Sequence, residues 1–233
     1  MRLLFKYPTR GRPDWFRETL ERYRQLLSGE NECHFAITMD SDDHTMNNEA
    51  IHRYLSLVKD VVLVYHYGDH ANKVEACNAG MPESHLWDIV ILVSDDMVVT
   101  KQDFDKIIVA DMIKHFPNMD GVLHYPDGYR PPNDPVVTWT VMGRGFYERY
   151  GCLYRPEYKA MWCDDELTDV AASWGKLVHC DAEIVKHEWC KFGIDENYQR
   201  DHKLFAEDNA TYEERKEKGF PRVFSDGRRE VHP

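Results

Sequence analysis

Two adjacent carboxylates, Asp95 and Asp96, follow the most apolar run of the sequence, residues 88–93. Carboxylates at the end of a buried run are costly unless they meet a cation, hydrogen-bond donors or solvent. Hard oxygen ligands of this kind suit Mg²⁺ or Mn²⁺, and such an ion can bridge to a diphosphate. A solvent-exposed turn in which an Asp caps the next helix explains the same residues. This fragment alone leaves both interpretations open.

Three consecutive acids, Asp164, Asp165 and Glu166, follow Trp162 and Cys163. A general base needs a carboxylate whose pKa is set by burial and by its neighbours, and crowding raises the pKa of at least one acid in such a group. The same three residues also suit a helix N-terminus, where the helix dipole favours negative charge. The sequence therefore offers a candidate base and leaves a purely structural role open.

Further polar side chains of suitable chemistry are scattered through the chain. His187 follows an apolar stretch and could supply an imidazole to a metal that carboxylates already hold. Asp40, Asp42 and Asp43 could accept hydrogen bonds from a nucleobase or from ribose hydroxyls, or could form only an Asx turn. Three cations suit phosphate oxygens but are equally typical of a solvated surface, namely Arg10, Arg12 and Lys73.

The elements that must position these side chains alternate between strand and helix. Apolar runs predict four strands, at residues 3–7, 34–39, 61–65 and 88–93. Amphipathic stretches predict helices between them, at about 14–27, 48–57 and 73–81. This alternation predicts an α/β fold, a Rossmann-like, mostly parallel sheet flanked by helices. In such sheets ligands bind beyond the carboxyl ends of the strands, which is where the polar clusters 9–12, 40–43 and 95–96 fall.

Beyond residue 100 the alternation loosens. The pattern predicts helices at about 104–115, 146–150 and 209–218. It predicts strands at about 121–125, 136–142, 177–179 and 183–185, with a loop rich in Pro, Gly and Asp at 126–135.

The composition excludes several classes of protein. The 233 residues carry 29 Lys and Arg against 41 Asp and Glu, a formal net charge of −12. This balance argues against a non-specific binder of nucleic acid or anionic membranes, although a bound divalent cation can reverse the sign locally. No apolar run approaches the roughly 18 residues of a membrane span, and no signal peptide is recognisable, so we expect a cytoplasmic protein. The six cysteines show no paired spacing, which predicts reduced thiols.

Six motifs, taken in order, resemble family 2 glycosyltransferases of the GT-A fold. They are PTRGRP at 8–13, DSDD at 40–43, NKVEACNAG at 72–80, SDDM at 94–97, WCDDE at 162–166, and His187. The order and spacing carry the resemblance, since no single motif is specific. The motifs of P-loop proteins, dinucleotide-binding folds, α/β-hydrolases and zincin proteases are absent from the sequence.

The resemblance implies transfer of a sugar from a nucleotide-diphospho-sugar to an acceptor hydroxyl, with inversion at the anomeric carbon. It implies Mn²⁺ or Mg²⁺ at Asp96 and His187, and a catalytic base at Asp165 beside Asp164 and Glu166. It places nine residues at the nucleotide-sugar, namely Pro8, Thr9, Arg10, Arg12, Asp40, Asp42, Lys73, Asn78 and Asp95. A UDP-sugar is the favoured donor and a GDP-sugar the second choice, while the acceptor has no signature.

The resemblance also implies how the chain is organised. Residues 1–194 form the transferase domain, with a nucleotide-binding half at about 1–100 and an acceptor and catalytic half at about 101–194. Residues 195–233 form a helical tail that packs on or near the active site. The acidic pair reads Ser-Asp-Asp instead of Asp-x-Asp, which leaves open whether Asp95 also contacts the metal. Two other functions stay open, a sugar-phosphate nucleotidyltransferase and a nucleotide-sugar-binding module without activity.

Overall fold

The computed structural model describes residues 1–131, 134–188, 193–223 and 229–230. The strands in these ranges are β1 (Arg2–Thr9), β2 (Glu32–Asp40), β3 (Val62–Gly68), β4 (Ile89–Leu92), β5 (Met97–Val99), β6 (Val122–His124), β7 (Val141–Gly143), β8 (Leu177–His179), β9 (Val185–His187), β10 (Arg222–Val223) and β11 (Arg229–Glu230). The helices are α1 (Pro13–Leu26), α2 (Glu49–Leu57), α3 (Lys73–Asn78), α4 (Phe104–His115), α5 (Arg144–Tyr150), α6 (Cys163–Ser173), α7 (Glu196–His202) and α8 (Phe205–Glu217), with a 3₁₀ turn at Ser84–Leu86.

Seven strands form one sheet in the order β3-β2-β1-β4-β7-β6-β8. Pairing is parallel between β1 and its neighbours β2 and β4, and between β2 and β3. β7 runs antiparallel to both β4 and β6, while β8 is parallel to β6. The predicted fold class, a mostly parallel mixed sheet flanked by helices, is confirmed. Because the chain continues from β1 to β2 on one side while β4 lies on the other, the crevice beyond the carboxyl ends of these strands is the expected ligand site.

Both faces of the central strand β1 are buried. Phe5 and Tyr7 belong to the core on one face, where Phe5 stacks on a ring of β2 at 4.7 Å between centroids. Leu4 lies in the core of the other face, since successive strand residues point to opposite sides. Lys6 is also fully buried, with its ammonium against Thr38 Oγ1, and burial lowers the pKa of Lys6 to about 8. Burial on both faces fixes the end of β1 and hence the loop that follows it.

The largest departure from the predicted elements is a small second sheet. β5 begins directly after the acidic pair and runs antiparallel to β9, with Met97 opposite His187. The sequence analysis predicted no strand at 97–99, because three residues carry too little pattern to indicate one. The β5–β9 ladder brings His187 beside the acidic pair.

Other departures concern boundaries. The predicted helix at 73–81 ends at Asn78, the predicted strand at 136–142 is only Val141–Gly143, and α7 had no predicted counterpart. None of the helices in the described ranges is long and apolar enough to cross a membrane. The five cysteines within those ranges are free thiols. Cys190, part of the 126–135 loop and part of the 195–233 tail lie outside the described residues.

Candidate functional site

A cavity of about 460 Å³ opens beyond the carboxyl ends of β1, β2 and β4. Ten of the predicted site residues line it, namely Pro8, Thr9, Arg10, Arg12, Asp40, Lys73, Asp95, Asp96, Asp164 and His187. Four do not line it, namely Asp42, Asn78, Asp165 and Glu166. The volume suits a ligand of nucleotide-sugar size, since small-molecule sites commonly measure roughly 300–1,000 Å³.

Asp96 and His187 face each other in this cavity. Asp96 Oδ2 lies 3.6 Å from His187 Nε2, and Ser94 Oγ donates a hydrogen bond of 2.5 Å to Asp96 Oδ1. Burial opposes ionisation of Asp96, but His187 and Ser94 outweigh burial and hold the pKa of Asp96 well below its ordinary value. Burial likewise opposes the charge of His187, yet Asp127 and Asp96 raise its pKa to about 9. The two side chains therefore form an ion pair at neutral pH.

Asp95 points to the opposite side of the chain. Its carboxylate is 5% exposed and accepts hydrogen bonds from Tyr7 Oη at 2.7 Å and Thr9 Oγ1 at 3.1 Å. Burial raises the pKa of Asp95 to about 7, against the lowering effect of Tyr7 and of Arg12. The two carboxylates thus have different partners: Asp95 is hydrogen-bonded to β1, whereas Asp96 faces His187.

Asp127 is a functional candidate that the sequence did not indicate. It is 3% exposed, lies 3.4 Å by Oδ2 from His187 Nδ1, and accepts hydrogen bonds from Tyr129 N, Arg130 N and Thr138 Oγ1. Its backbone oxygen accepts a hydrogen bond of 2.8 Å from His187 N. In sequence Asp127 precedes Gly128 in a turn-like loop, so only the tertiary structure reveals its contact with His187.

The loop after β1 is held against the loop after β2. Arg10 Nη1 lies 2.6 Å from Asp40 Oδ2 and 2.5 Å from Asp42 Oδ1, and His70 Nδ1 lies 2.7 Å from Asp40 Oδ1. Gly11, in the left-handed region at φ +69°, donates its N–H to Asp43 Oδ2 at 2.6 Å. Asp42 is exposed outside the cavity, whereas Asp40 lies in its wall between two cationic or polar partners.

The resemblance places the 195–233 tail on or near the active site, and in the structure its first helix contributes Asn197, Tyr198, Arg200 and Asp201 to the cavity lining. Arg12 Nη2 lies 2.7 Å from Asp195 Oδ2, and Asn197 Nδ2 donates a hydrogen bond of 2.6 Å to the backbone oxygen of Arg10. Burial opposes the charge of Lys73, but nearby acidic groups, Asp201 foremost, raise its pKa above the ordinary value. The remaining lining residues that sequence reasoning missed include Tyr129, Arg130, Tyr198 and Arg200.

The acidic helix α6 presents Asp164 to the cavity. Asp165, which the resemblance matched to the base, is not among the residues that line the cavity, and burial and then the neighbouring Asp164 carboxylate raise its pKa to about 7. The negative charge of Asp164 opposes ionisation of Asp165, because like charges repel. Asp165 is therefore a carboxyl group whose pKa lies near neutrality.

Glu166 and Asn78 are occupied by structural contacts. Glu166, 1% exposed, accepts hydrogen bonds from Arg215 Nε at 2.6 Å and Tyr158 Oη at 2.8 Å. Asn78 Nδ2 donates to the backbone oxygen of Tyr154 at 2.7 Å. The resemblance implied that Glu166 lies beside the catalytic base and Asn78 at the nucleotide-sugar, and in the structure both side chains form hydrogen bonds to neighbouring segments of the chain.

The donor set partly fits a divalent cation. Within the described ranges, no group of three or more His, Cys, Asp or Glu side chains is arranged to hold one ion. Asp96 Oδ2 and His187 Nε2 nevertheless face one space, and a carboxylate with an imidazole suits Mn²⁺ while leaving positions for substrate oxygens. An ion bound there takes the place of the His187 proton, since a ligating imidazole is neutral.

The sequence matches no protein-family model, and no curated protein matches it significantly. Solved structures are similar: S. aureus TarS 1–349 has 14% identity and a TM-score of 0.59, covering 82% of this chain and 61% of that chain. The mannosyltransferase PcManGT from Pyrobaculum calidifontis, in complex with GDP-Man and Mn²⁺, has 15% identity and a TM-score of 0.65, covering 82% and 58%. GalNAc-T7 with UDP, GalNAc and Mn²⁺ has 13% identity and a TM-score of 0.63, covering 80% and 44%.

The chain therefore has the GT-A fold of nucleotide-sugar glycosyltransferases, as the resemblance implied. At these identities the likeness concerns the fold. This chain spans less than two thirds of the length of each of the three similar chains.

Proposed function

We propose that the protein transfers a sugar from a nucleotide-diphospho-sugar to an acceptor hydroxyl with the help of Mn²⁺ or Mg²⁺. One observation carries the proposal: the Asp96–His187 pair and Asp164 line one cavity at the carboxyl edge of a GT-A sheet. A candidate metal-binding pair and a candidate base thus meet in one space of suitable size. Complexes of similar folds with UDP-GlcNAc, and with GDP-Man and Mn²⁺, support a nucleotide-sugar donor.

The donor lies across the ends of β1 and β2 in this proposal. Asp40 accepts hydrogen bonds from the base or ribose, which compete with those from Arg10 and His70. Arg12 and Lys73 face the diphosphate, whose oxygens replace their present acidic neighbours Asp195 and Asp201. A UDP-sugar is favoured and a GDP-sugar is the second choice.

Asp96 and His187 hold the cation in this proposal. A bound divalent cation neutralises the charge that develops on the leaving diphosphate. Asp127 keeps the His187 ring turned so that Nε2 faces Asp96, as second-sphere carboxylates do for metal-binding histidines.

The Asp164–Asp165 pair removes the proton of the acceptor hydroxyl. The acceptor oxygen attacks the anomeric carbon, the bond from that carbon to the diphosphate oxygen breaks, and the hydroxyl proton passes to the carboxylate pair. Attack opposite the leaving group inverts the configuration. Asp164 lines the cavity, so we assign contact with the acceptor to Asp164, beside Asp165, whose pKa burial and Asp164 raise to about 7.

A panel of UDP-, GDP-, CDP- and dTDP-sugars tests the proposal. Thermal shift with Mn²⁺ identifies the donor that binds, and release of the nucleoside diphosphate then measures turnover. We expect turnover with one nucleotide class, at least about 100-fold slower in Asp164→Asn, with donor affinity changed little. Pyrophosphate release from a nucleoside triphosphate and a sugar phosphate would instead indicate a nucleotidyltransferase. Metal-dependent binding of a donor without turnover would indicate a binding module.

A further inference from the structure

Helix α8, near the C-terminal end of the described chain, holds the segment that leads into the acidic helix α6. Asp208, 1% exposed, accepts hydrogen bonds from three successive backbone N–H groups, those of Lys159, Ala160 and Met161, at 3.0, 2.8 and 2.8 Å. Successive N–H groups that converge on one point form an anion-binding nest. Here the chain supplies the anion itself, directly before Trp162 and the start of α6.

A second contact from α8 fastens the first turn of α6. Arg215 donates from Nε and Nη2 to the two oxygens of Glu166, at 2.6 and 2.8 Å, and from Nη1 to Glu157 at 2.8 Å. Arg215 is 7% exposed and Glu166 1%. A fork of two parallel charged hydrogen bonds fixes orientation as well as distance. Glu166 directly follows Asp165 in the chain. The two hydrogen bonds from Arg215 to Glu166 therefore fix the residue on the C-terminal side of Asp164 and Asp165.

Trp162 lies between these two contacts in a conformation that needs support. Its φ of 62° is in the left-handed region, which is unfavourable for a bulky side chain. Its ring packs on Phe205 and Tyr212 of α8, at centroid distances of 5.4 and 5.3 Å. The same helix therefore supports the backbone turn that sets the direction in which α6 begins.

We propose that Asp208 is a positioning residue for the candidate base. By holding the backbone of 159–161, it places Asp164 and Asp165 where the acceptor hydroxyl is deprotonated. The held segment also reaches the donor side, because the backbone oxygen of Lys159 accepts a hydrogen bond of 3.0 Å from Val74 N, next to Lys73. The catalytic role of this placement rests on the proposed function, whereas the hold that Asp208 has on the backbone of 159–161 does not.

The test compares Asp208→Asn with Glu207→Gln in the full chain. The control residue is adjacent on the same helix and also contacts Lys159, but through an exposed ion pair of 2.5 Å with its ammonium group. The neutral amide in Asp208→Asn cannot satisfy three N–H groups as a carboxylate does. Asp208→Glu is a milder second variant, which keeps the carboxylate but moves it by one methylene relative to the three N–H groups. Should Asp208→Asn fail to fold, the result from Asp208→Glu decides.

Two measurements are made. Hydrogen exchange reports on the amides of 159–166, with those of α4 as an internal reference. Turnover of UDP-GlcNAc and GDP-mannose with Mn²⁺ is expressed per donor-binding site, counted by calorimetry, so that unfolded protein does not contribute. We expect exchange at least tenfold faster in 159–166 alone, kcat per site at least tenfold lower, and donor Kd within threefold of the wild type. Glu207→Gln should match the wild type throughout.

Unchanged hydrogen exchange in 159–166 would show that Asp208 does not hold this segment in place. Faster exchange with unchanged kcat per site would overturn the positioning role, because the contact would then serve stability alone. If the wild-type chain hydrolyses neither donor, the proposed function fails for these donors, and the exchange result still decides whether Asp208 fixes the segment.

Discussion

Asp95 and Asp96 show at the scale of single residues how neighbours with the same side chain acquire different chemistry. Asp95 turns inward to Tyr7 and Thr9, and burial raises its pKa to about 7. Asp96 faces His187, which holds the pKa of Asp96 below its ordinary value. The direction of each side chain, set by the end of β4 and the start of β5, decides which carboxylate is available to a cation.

Asp96→Asn should weaken Mn²⁺ binding by roughly 100-fold, since it removes the anionic ligand that faces His187. Asp95→Asn is the matched control, because its amide oxygen still accepts from Tyr7 or Thr9 and its side chain lies away from the pair. Electron paramagnetic resonance of free Mn²⁺ measures both affinities. Equal losses of Mn²⁺ affinity in the two variants would show that Asp95 and Asp96 bind the ion together.

Asp127→Asn should weaken Mn²⁺ binding by roughly 10- to 100-fold, because the neutral amide no longer favours a proton on His187 Nδ1. The amide oxygen still accepts the backbone N–H groups of Tyr129 and Arg130, so the loop is retained. Asp134→Asn, in the same loop and paired with Arg130 at 2.8 Å, is the control. An unchanged affinity in Asp127→Asn would remove the orienting role.

Asp165→Asn should raise thermal stability at pH 8. The folded pKa of Asp165 is about 7 and the ordinary value is 3.8, so the folded state binds more protons than the unfolded state between these limits. Wild-type stability therefore falls as pH rises from about 4 to 7, and the variant avoids this loss. Unfolding temperatures from pH 4 to 8 should show a gain that grows up to about pH 7 and then levels off. Arg10 holds the pKa of Asp42 below its ordinary value, so Asp42→Asn should instead cause a small loss of thermal stability.

At the scale of elements, the β5–β9 ladder joins the two halves of the candidate metal site. Glu188 N donates to Asp96 O at 2.7 Å, and Thr100 N donates to Ile184 O at 3.0 Å. In an antiparallel ladder hydrogen-bonded pairs alternate, which makes Val98 and its partner Lys186 a hydrogen-bonded pair. Three residues in each strand are enough to set the distance between Asp96 and His187.

Val98→Pro should move the two candidate metal ligands, Asp96 and His187, apart. Proline removes the N–H of the central pair, so the ladder weakens and the unfolding temperature falls by several degrees, roughly 2–4 °C per kcal/mol lost. Mn²⁺ affinity should fall at least tenfold at temperatures where the variant is folded. Val98→Ala keeps the N–H and is the control. Full Mn²⁺ affinity in a folded Val98→Pro variant would show that the ladder does not position His187.

The sequence predicted the parallel half of the sheet well, and beyond residue 100 it predicted α4 and β8 with the observed bounds but gave no sign of β5 or α7. β1, β2 and β4 are apolar runs buried on both faces, which a sequence shows directly. β5 has only three residues and pairs with β9, so the sequence alone does not show it, and the strand predicted at 183–185 lies two residues before the observed β9. The same reason hid Asp127, which lies 60 positions from His187, and Asp208, whose backbone partners lie 47 to 49 positions away along the chain. Motif spacing identified the acidic helix but not which of its carboxylates reaches the cavity.

At the scale of the whole molecule, three arginines that line the cavity already form ion pairs with carboxylates of the same chain. Within the described ranges Arg10 pairs with Asp40 and Asp42, Arg12 with Asp195, and Arg130 with Asp134. The chain as a whole carries a net charge of −12. In the proposed function, a divalent cation therefore supplies positive charge that these paired arginines do not offer to the diphosphate.

Calorimetric titration of UDP and of GDP, with and without Mn²⁺, tests the central claim most directly. We predict that one nucleotide binds at least tenfold more tightly with Mn²⁺, and that His187→Ala removes this gain while leaving binding without metal unchanged. Equal affinity with and without Mn²⁺ for both nucleotides would contradict a cation-assisted diphosphate site between Asp96 and His187.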